Sequence, residues 1–325
     1  MLVPSLPLLW TIVCLFAVLT VGTLVRIAML GGIVNSSVQS HLNSLRTWWA
    51  LAVSLAIATI LGEAGVVVLL ALAGILSLRE YLQIVGWKTV GLPTALIVFA
   101  TVPIYYTIAL YGYDEGLLSA APLAFLLVLG ALRAWLGLTE DYIRTTAAMI
   151  WGLMLFVYCL SHAYFLVTLP ASSQPWVGNV GWFLYLVLLT ETNDIAQALV
   201  GRRFGKTKIA PQISPNKSLE GLLGGIAITM LLAVFLAPSL TTLMYDRSRN
   251  TGIVLAMLAG LLIALSGFLG DINKSGIKRD VGVKDSGTML PGQGGMMDRI
   301  DSLTFSAPVF FYFIRSNITE HFRNF

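Results

Sequence analysis

Residues 271–301 read DINKSGIKRDVGVKDSGTMLPGQGGMMDRID, with five acids (Asp271, Asp280, Asp285, Asp298, Asp301) among five bases (Lys274, Lys278, Arg279, Lys284, Arg299). A second stretch, 190–220, carries eight more charged side chains, so two short segments hold half of all the charge in a 325-residue chain. Charges in so apolar a protein are costly and are usually kept for chemistry, transport or anchoring. Carboxylates such as Asp271 and Asp298 supply the hard oxygens that Mg²⁺ prefers. Neighbouring lysines and arginines neutralise phosphate oxygens. Glycines at 276, 282, 287, 292, 294 and 295 let the backbone approach a ligand closely and turn its amides toward phosphate. Together these types suit metal-assisted phosphoryl-type transfer, where positioning and charge stabilisation dominate. The Walker A pattern is absent, so a P-loop enzyme is excluded. The plainer reading is a solvated loop whose charges merely orient helices; its glycine density and balanced charge count against that.

The second segment begins as TETNDIAQALVG, polar residues set within an apolar helix. Glu191, Asn193 and Asp194 therefore point to a functional cavity near one end of a membrane helix. Pro211 and Pro215 break the following chain, and Ser214 is placed to cap a helix starting near Pro215. That role leaves Lys217 and Glu220 unexplained. Elsewhere acids are few. Glu80, next to Arg79 at a helix end, reads as half of an interfacial ion pair, and Glu63 as a solvated residue at a hairpin tip. Cys14 and Cys159 fall in apolar spans and read as small hydrophobes. His41, His162 and His321 are scattered, which argues against histidine-based zinc chemistry.

The elements that must position these groups are membrane helices. The hydrophobic fraction is 57 % and mean hydropathy is +0.83, far from a soluble domain. Apolar runs recur near 7–28, 48–62, 64–79, 92–111, 117–135, 145–168, 177–199, 217–237, 251–270 and 302–315. The second and third form either a tight hairpin at Gly62–Gly65 or one long tilted helix, so the chain is an all-α polytopic membrane protein of nine or ten transmembrane helices. The first span lacks a basic leader and a cleavage site and reads as a retained helix. We read 1–325 as a single membrane domain, with a helical scaffold over 1–170 and a catalytic half over 177–325. Loops 202–208 and 274–284 are basic and share one side. The positive-inside rule places them in the cytoplasm, against a mild conflict from Arg315 and Arg323 near the C-terminus. A transporter would spread its acids at mid-membrane through both halves; here they gather at one face of one half.

Ser275–Asp301 closely resembles the signature of the phosphatidate cytidylyltransferases (CDP-diacylglycerol synthases), S-x-x-K-R-x-x-x-x-K-D-x-G-x-x-x-P-G-H-G-G-x-x-D-R-x-D. Matching positions are Ser275, Lys278, Arg279, Lys284, Asp285, Gly287, Pro291, Gly292, Gly294, Gly295, Asp298, Arg299 and Asp301. Gly270-Asp271 fits too, as does Gly201…Gly205-Lys206…Ser214-Pro215…Lys217…Glu220-Gly221. The resemblance implies an integral membrane enzyme, of bacterial inner-membrane type with a cytoplasmic site, making CDP-diacylglycerol and pyrophosphate from phosphatidic acid and CTP. It implies Mg²⁺ on Asp271 and Asp298, with Ser275 helping there. Lys278, Arg279, Lys284 and Arg299 would hold phosphates, and Asp285 and Asp301 would bind a second cation such as K⁺ or orient those bases. Asp194, Lys206, Ser214 and Lys217 would complete the nucleotide and lipid-phosphate pocket. Membrane lipid and a homodimeric partner fit the same picture, and nucleic acid does not. Two departures stand out: Gln293 replaces the signature His, and Ile195-Ala196-Gln197-Ala198 follows Asp194 where small residues and an aromatic are common. Gln293 can hydrogen-bond a phosphate but does not titrate. Both departures favour a paralogue acting on another membrane lipid phosphate as the alternative.

Overall fold

The structure, a computed structural model, describes residues 5–29, 36–86, 90–112, 114–169, 175–244, 248–283 and 285–322. Ten long helices account for nearly all of them: α1 Leu6–Met29, α2 Ser36–Ile60, α3 Gly62–Val85, α4 Leu92–Leu110, α5 Asp114–Trp135, α6 Tyr142–Phe165, α7 Gly181–Phe204, α8 Leu219–Leu240, α9 Arg249–Asp280 and α10 Met297–Phe322. Eight of the ten are long and apolar enough to cross a membrane; α2 and α10, with more polar ends, fall below that mark. The chain is an all-α polytopic membrane protein.

The 48–79 region resolves as the hairpin rather than one tilted helix. Gly62 has φ +69°, a left-handed turn that reverses the chain between α2 and α3. Helices begin earlier or end later than their apolar runs, because polar turns continue past the hydrocarbon. The clearest case is α9. Its 32 residues span roughly 48 Å at 1.5 Å per residue, against a hydrocarbon core of ~30 Å. The buried positions of α9 end at Gly270, so the turns from Asp271 to Asp280 emerge from the packed interior.

A short antiparallel hairpin interrupts the helices, β1 Lys208–Ala210 against β2 Ser214–Ser218, with Lys208 opposite Ser218 and Ala210 opposite Ser214. This corrects the expected cap. Ser214 and Pro215 belong to a strand, and α8 starts at Leu219 with Ser218 accepting from the Gly221 amide at 3.2 Å. Glu220 then ties the hairpin's other end, accepting from the amides of Lys206 (2.9 Å) and Thr207 (3.1 Å).

Helices α7, α8, α9 and α10 pack through small residues. A Cβ on Gly260 would stand 2.8 Å from Ala233 Cβ and 2.9 Å from Met230 Cα, and one on Gly270 would collide with the Asp301 carbonyl. Lipid gives no hydrophobic drive between helices, so close backbone approach of this kind carries their association. Asn193 bridges three of them, donating to the Ala264 carbonyl at 3.3 Å and accepting from Thr229 at 3.4 Å. At the other end of the bundle Asn179, ahead of α7, donates to Glu63 at the hairpin tip (2.9 Å), so Glu63 is an exposed tether rather than a purely solvated acid.

Candidate active site

A cavity of about 780 Å³ opens where α7, α9 and α10 meet the β-hairpin, with Trp48 of α2 on its far wall. Five carboxylates line it (Glu191, Asp194, Asp271, Asp298, Asp301), and five cations (Arg202, Lys208, Lys217, Lys274, Arg299). The acids converge on one ammonium. Lys274 Nζ lies 3.1 Å from Asp271 Oδ1 and 3.5 Å from Asp298 Oδ1, and it also pairs with Asp301. Asp271 and Lys274 are three residues apart on α9, one turn on the same face. Asp298 and Asp301 repeat that spacing on α10, and the glycine at 270 lets the two helices come close enough for the four to meet.

Each acid has further partners. Lys217 Nζ pairs with Asp271 at 2.5 Å and donates to Gln197 Oε1 at 3.2 Å, joining β2 to α9 and α7. Asp298 accepts from Lys278 (2.9 Å), the Ser286 hydroxyl (2.5 Å) and the Gly295 amide (3.2 Å). It stands in the first turn of α10, ahead of the apolar run. Burial opposes its ionisation, but Lys274, Ser286 and Lys278 together outweigh that and hold its carboxyl at about 2.

Not every candidate lines the cavity. Asp194, Ser214, Lys217, Asp271, Asp298, Arg299 and Asp301 do. Lys278 sits behind Asp298. Ser275 is half-buried on α9, outside the lining. Arg279 is exposed and donates to the Ile213 carbonyl at 3.2 Å, bracing the β-hairpin. Asp285 is exposed, and so is Lys206, whose neighbour Lys208 faces the cavity instead. Lys284 lies outside the described residues. Gln293 turns toward α2, donating to the Ser44 carbonyl at 2.9 Å and the Ser44 hydroxyl at 3.3 Å.

Three residues were not separable by sequence reasoning from background charge. Lys274 is central, though it stands one residue ahead of the signature, which begins at Ser275; its spacing from Asp271 was the available signal. Lys208 looks like one more base in a basic loop. Glu80 corrects the expected surface ion pair. It is 3 % exposed and accepts from the amides of Met296 (3.0 Å) and Met297 (2.9 Å), far along the chain. Nothing local marks that contact, because 216 residues separate the partners.

Among the described residues, three buried polar atoms on the cavity lining have no hydrogen-bond partner: Asp194 Oδ1, Gln197 Nε2 and Arg299 Nε. Buried polar groups are nearly always satisfied, so these are groups a polar ligand would complete. Among the described residues no three acids, histidines or cysteines form a ready cage for a metal. The donor set nevertheless fits Mg²⁺. That ion is commonly bound by one or two carboxylates plus substrate phosphates, and Lys274 already stands among three carboxylates as a resident cation.

The chain matches the cytidylyltransferase family over residues 42–317. It is 39 % identical over 301 residues to the uncharacterized protein YnbB of Escherichia coli, a match covering 93 % of this chain and 96 % of that one. It is also 44 % identical over 131 residues to the phosphatidate cytidylyltransferase of Haemophilus influenzae, 40 % of this chain and 44 % of that protein. The corresponding enzyme of Staphylococcus haemolyticus is 38 % identical over 128 residues, 39 % of this chain and 46 % of that protein.

Proposed function

Since the chain belongs to the cytidylyltransferase family, we propose that it moves the cytidylyl group of CTP onto a membrane lipid phosphate, with phosphatidic acid the first acceptor to consider. The observation that carries this is the ring of carboxylates and ammonium groups around one cavity at the end of an apolar bundle. Its volume, about 780 Å³, lies within the usual range for small-molecule sites.

In this reading an oxygen of the lipid phosphate attacks the α-phosphorus of CTP. A new P–O bond forms, the bond to the β-phosphate oxygen breaks, and pyrophosphate leaves. Bound Mg²⁺, held by Asp271 and Asp298, would supply neutralisation of the triphosphate charge. The chain does the rest by placement. Lys217 on β2 and Arg299 on α10 offer cations to phosphate oxygens. Asp301 keeps Lys274 directed inward, and Lys278 and Ser286 fix the direction of Asp298. Asp194 and Gln197 offer an unpaired acceptor and an unpaired donor that suit nucleotide hydroxyls or base edges. Burial of Asp271, Lys274, Asp298 and Asp301 is tolerated because they are mutually paired.

Purified full-length protein, given radiolabelled CTP, Mg²⁺ and a panel of lipid phosphates, should transfer label to lipid and release pyrophosphate. Absence of lipid label with every acceptor would overturn the proposal. A second reading is another lipid phosphate monoester as acceptor. It is supported by a similarity to YnbB over 93 % of this chain, against 40 % for the Haemophilus influenzae phosphatidate enzyme. The same panel separates the two.

A further inference from the structure

Gly294, Gly295 and Met296 precede α10, and none carries a side-chain oxygen able to accept from the amides exposed at a helix start. The acceptor comes from elsewhere. Both carboxylate oxygens of Glu80, on α3, take those amides: Oε1 from Met296 at 3.0 Å and Oε2 from Met297 at 2.9 Å. The glycines make room for it. A Cβ on Gly287 would stand 2.9 Å from Glu80 Oε1, and one on Gly295 would collide with Oε2. Among the described residues no Lys or Arg forms an ion pair with Glu80. Its carboxylate faces the positive end of α10.

The parts that Glu80 grips are those that aim Asp298. The Gly295 amide and the Ser286 hydroxyl, flanking the two glycines in contact with Glu80, both end on Asp298 Oδ2. We infer that Glu80 is a positioning residue for the site, supplying from α3 the cap that α10 lacks and thereby fixing the direction of Asp298 toward the cavity. This goes beyond the proposed function and rests on it only in assigning Asp298 to the metal.

The test uses full-length protein in nanodiscs, as wild type, Glu80→Gln and Glu80→Asp. Two quantities are followed: amide hydrogen exchange over 286–300, and Mn²⁺ affinity in the presence of CTP by electron paramagnetic resonance. Glu80→Gln turns one acceptor into a donor facing an amide. Exchange at 296 and 297 should rise about 10- to 100-fold, as for loss of a charge-assisted hydrogen bond. Mn²⁺ should bind roughly tenfold more weakly, with Glu80→Asp partly restoring both. Exchange in α4 and α5 should not change. Should Glu80→Gln fail to fold, Gly295→Ala attacks the same contact from the other side and should give the same pair of shifts. Faster exchange with unchanged Mn²⁺ affinity would reduce Glu80 to a structural cap and overturn the inference, as would unchanged exchange or no Mn²⁺ binding by the wild type. Wild type that binds Mn²⁺ with CTP yet transfers to no acceptor would sink the proposed reaction alone.

Discussion

Lys274 is the residue whose removal should be felt most widely, since three carboxylates share its ammonium. Lys274→Met should lower the thermal midpoint and abolish turnover, because breaking a buried ion pair on one side costs about 3–5 kcal/mol. Asp271→Asn and Asp298→Asn should each cost at least ~10²-fold in turnover and lower the midpoint less than Lys274→Met, since the amide oxygen still accepts from the lysines, read by differential scanning fluorimetry. A normal rate from either would remove it from the metal site. Gln293 is different. Its amide nitrogen is turned away to Ser44 of α2 and it does not line the cavity, so Gln293→His should leave the rate profile between about pH 6 and 7.5 unchanged. New titration in that window would place the side chain in the chemistry after all. That Asp271, Asp298 and Asp301 come together was legible in the sequence, because acids are few in so apolar a chain and these three are joined by a glycine-rich excursion. The partner of Glu80 was not, because the amides it accepts are backbone groups that leave no mark on side-chain identity.

At the scale of elements, the α9–α10 crossing is the part that brings the acids together. Gly270 sits against the Asp301 carbonyl and 3.2 Å (measured from an added Cβ) from Ser302 Cα. Gly270→Ala should force the helices apart, an overpacking cost of about 1–3 kcal/mol, and depress turnover more than the change in thermal midpoint alone would account for. An unchanged rate would show that the crossing has slack. Hydropathy located the membrane helices well, since twenty apolar residues have few alternatives in lipid. It missed their polar extensions and the β1–β2 hairpin. Lys208–Ser218 mixes Pro, Lys, Asn and Ser with little alternation, and its pairing depends on Glu220 and Arg279 holding its ends.

For the whole molecule, the site lies on the face bearing the basic segments 202–208 and 274–283, the second of them mostly the projecting end of α9, and we propose that this face is cytoplasmic. A single cysteine in place of exposed Lys206, with Cys14 and Cys159 changed to serine, should resist an impermeant thiol reagent in intact cells. It should react in inverted vesicles, and the reverse pattern would invert the topology. That the charge gathers in the second half was readable directly from the sequence. That half's dependence on the other was not: Ser44, Thr47 and Glu80 of the first half hold Gln293, Pro291 and the start of α10.

That clasp has a bearing on how the protein is made. Ribosomal synthesis delivers α2 and α3 to the bilayer well before residues 286–300 exist, so the hold on the working loop is waiting when the loop arrives. Helix α10 then reaches the bilayer after the elements that hold its start, and the cavity is lined in full only once Asp298, Arg299 and Asp301 have arrived. Co-expressed fragments 1–170 and 171–325 should therefore reassemble into a competent protein, while the second fragment alone should insert and stay inert.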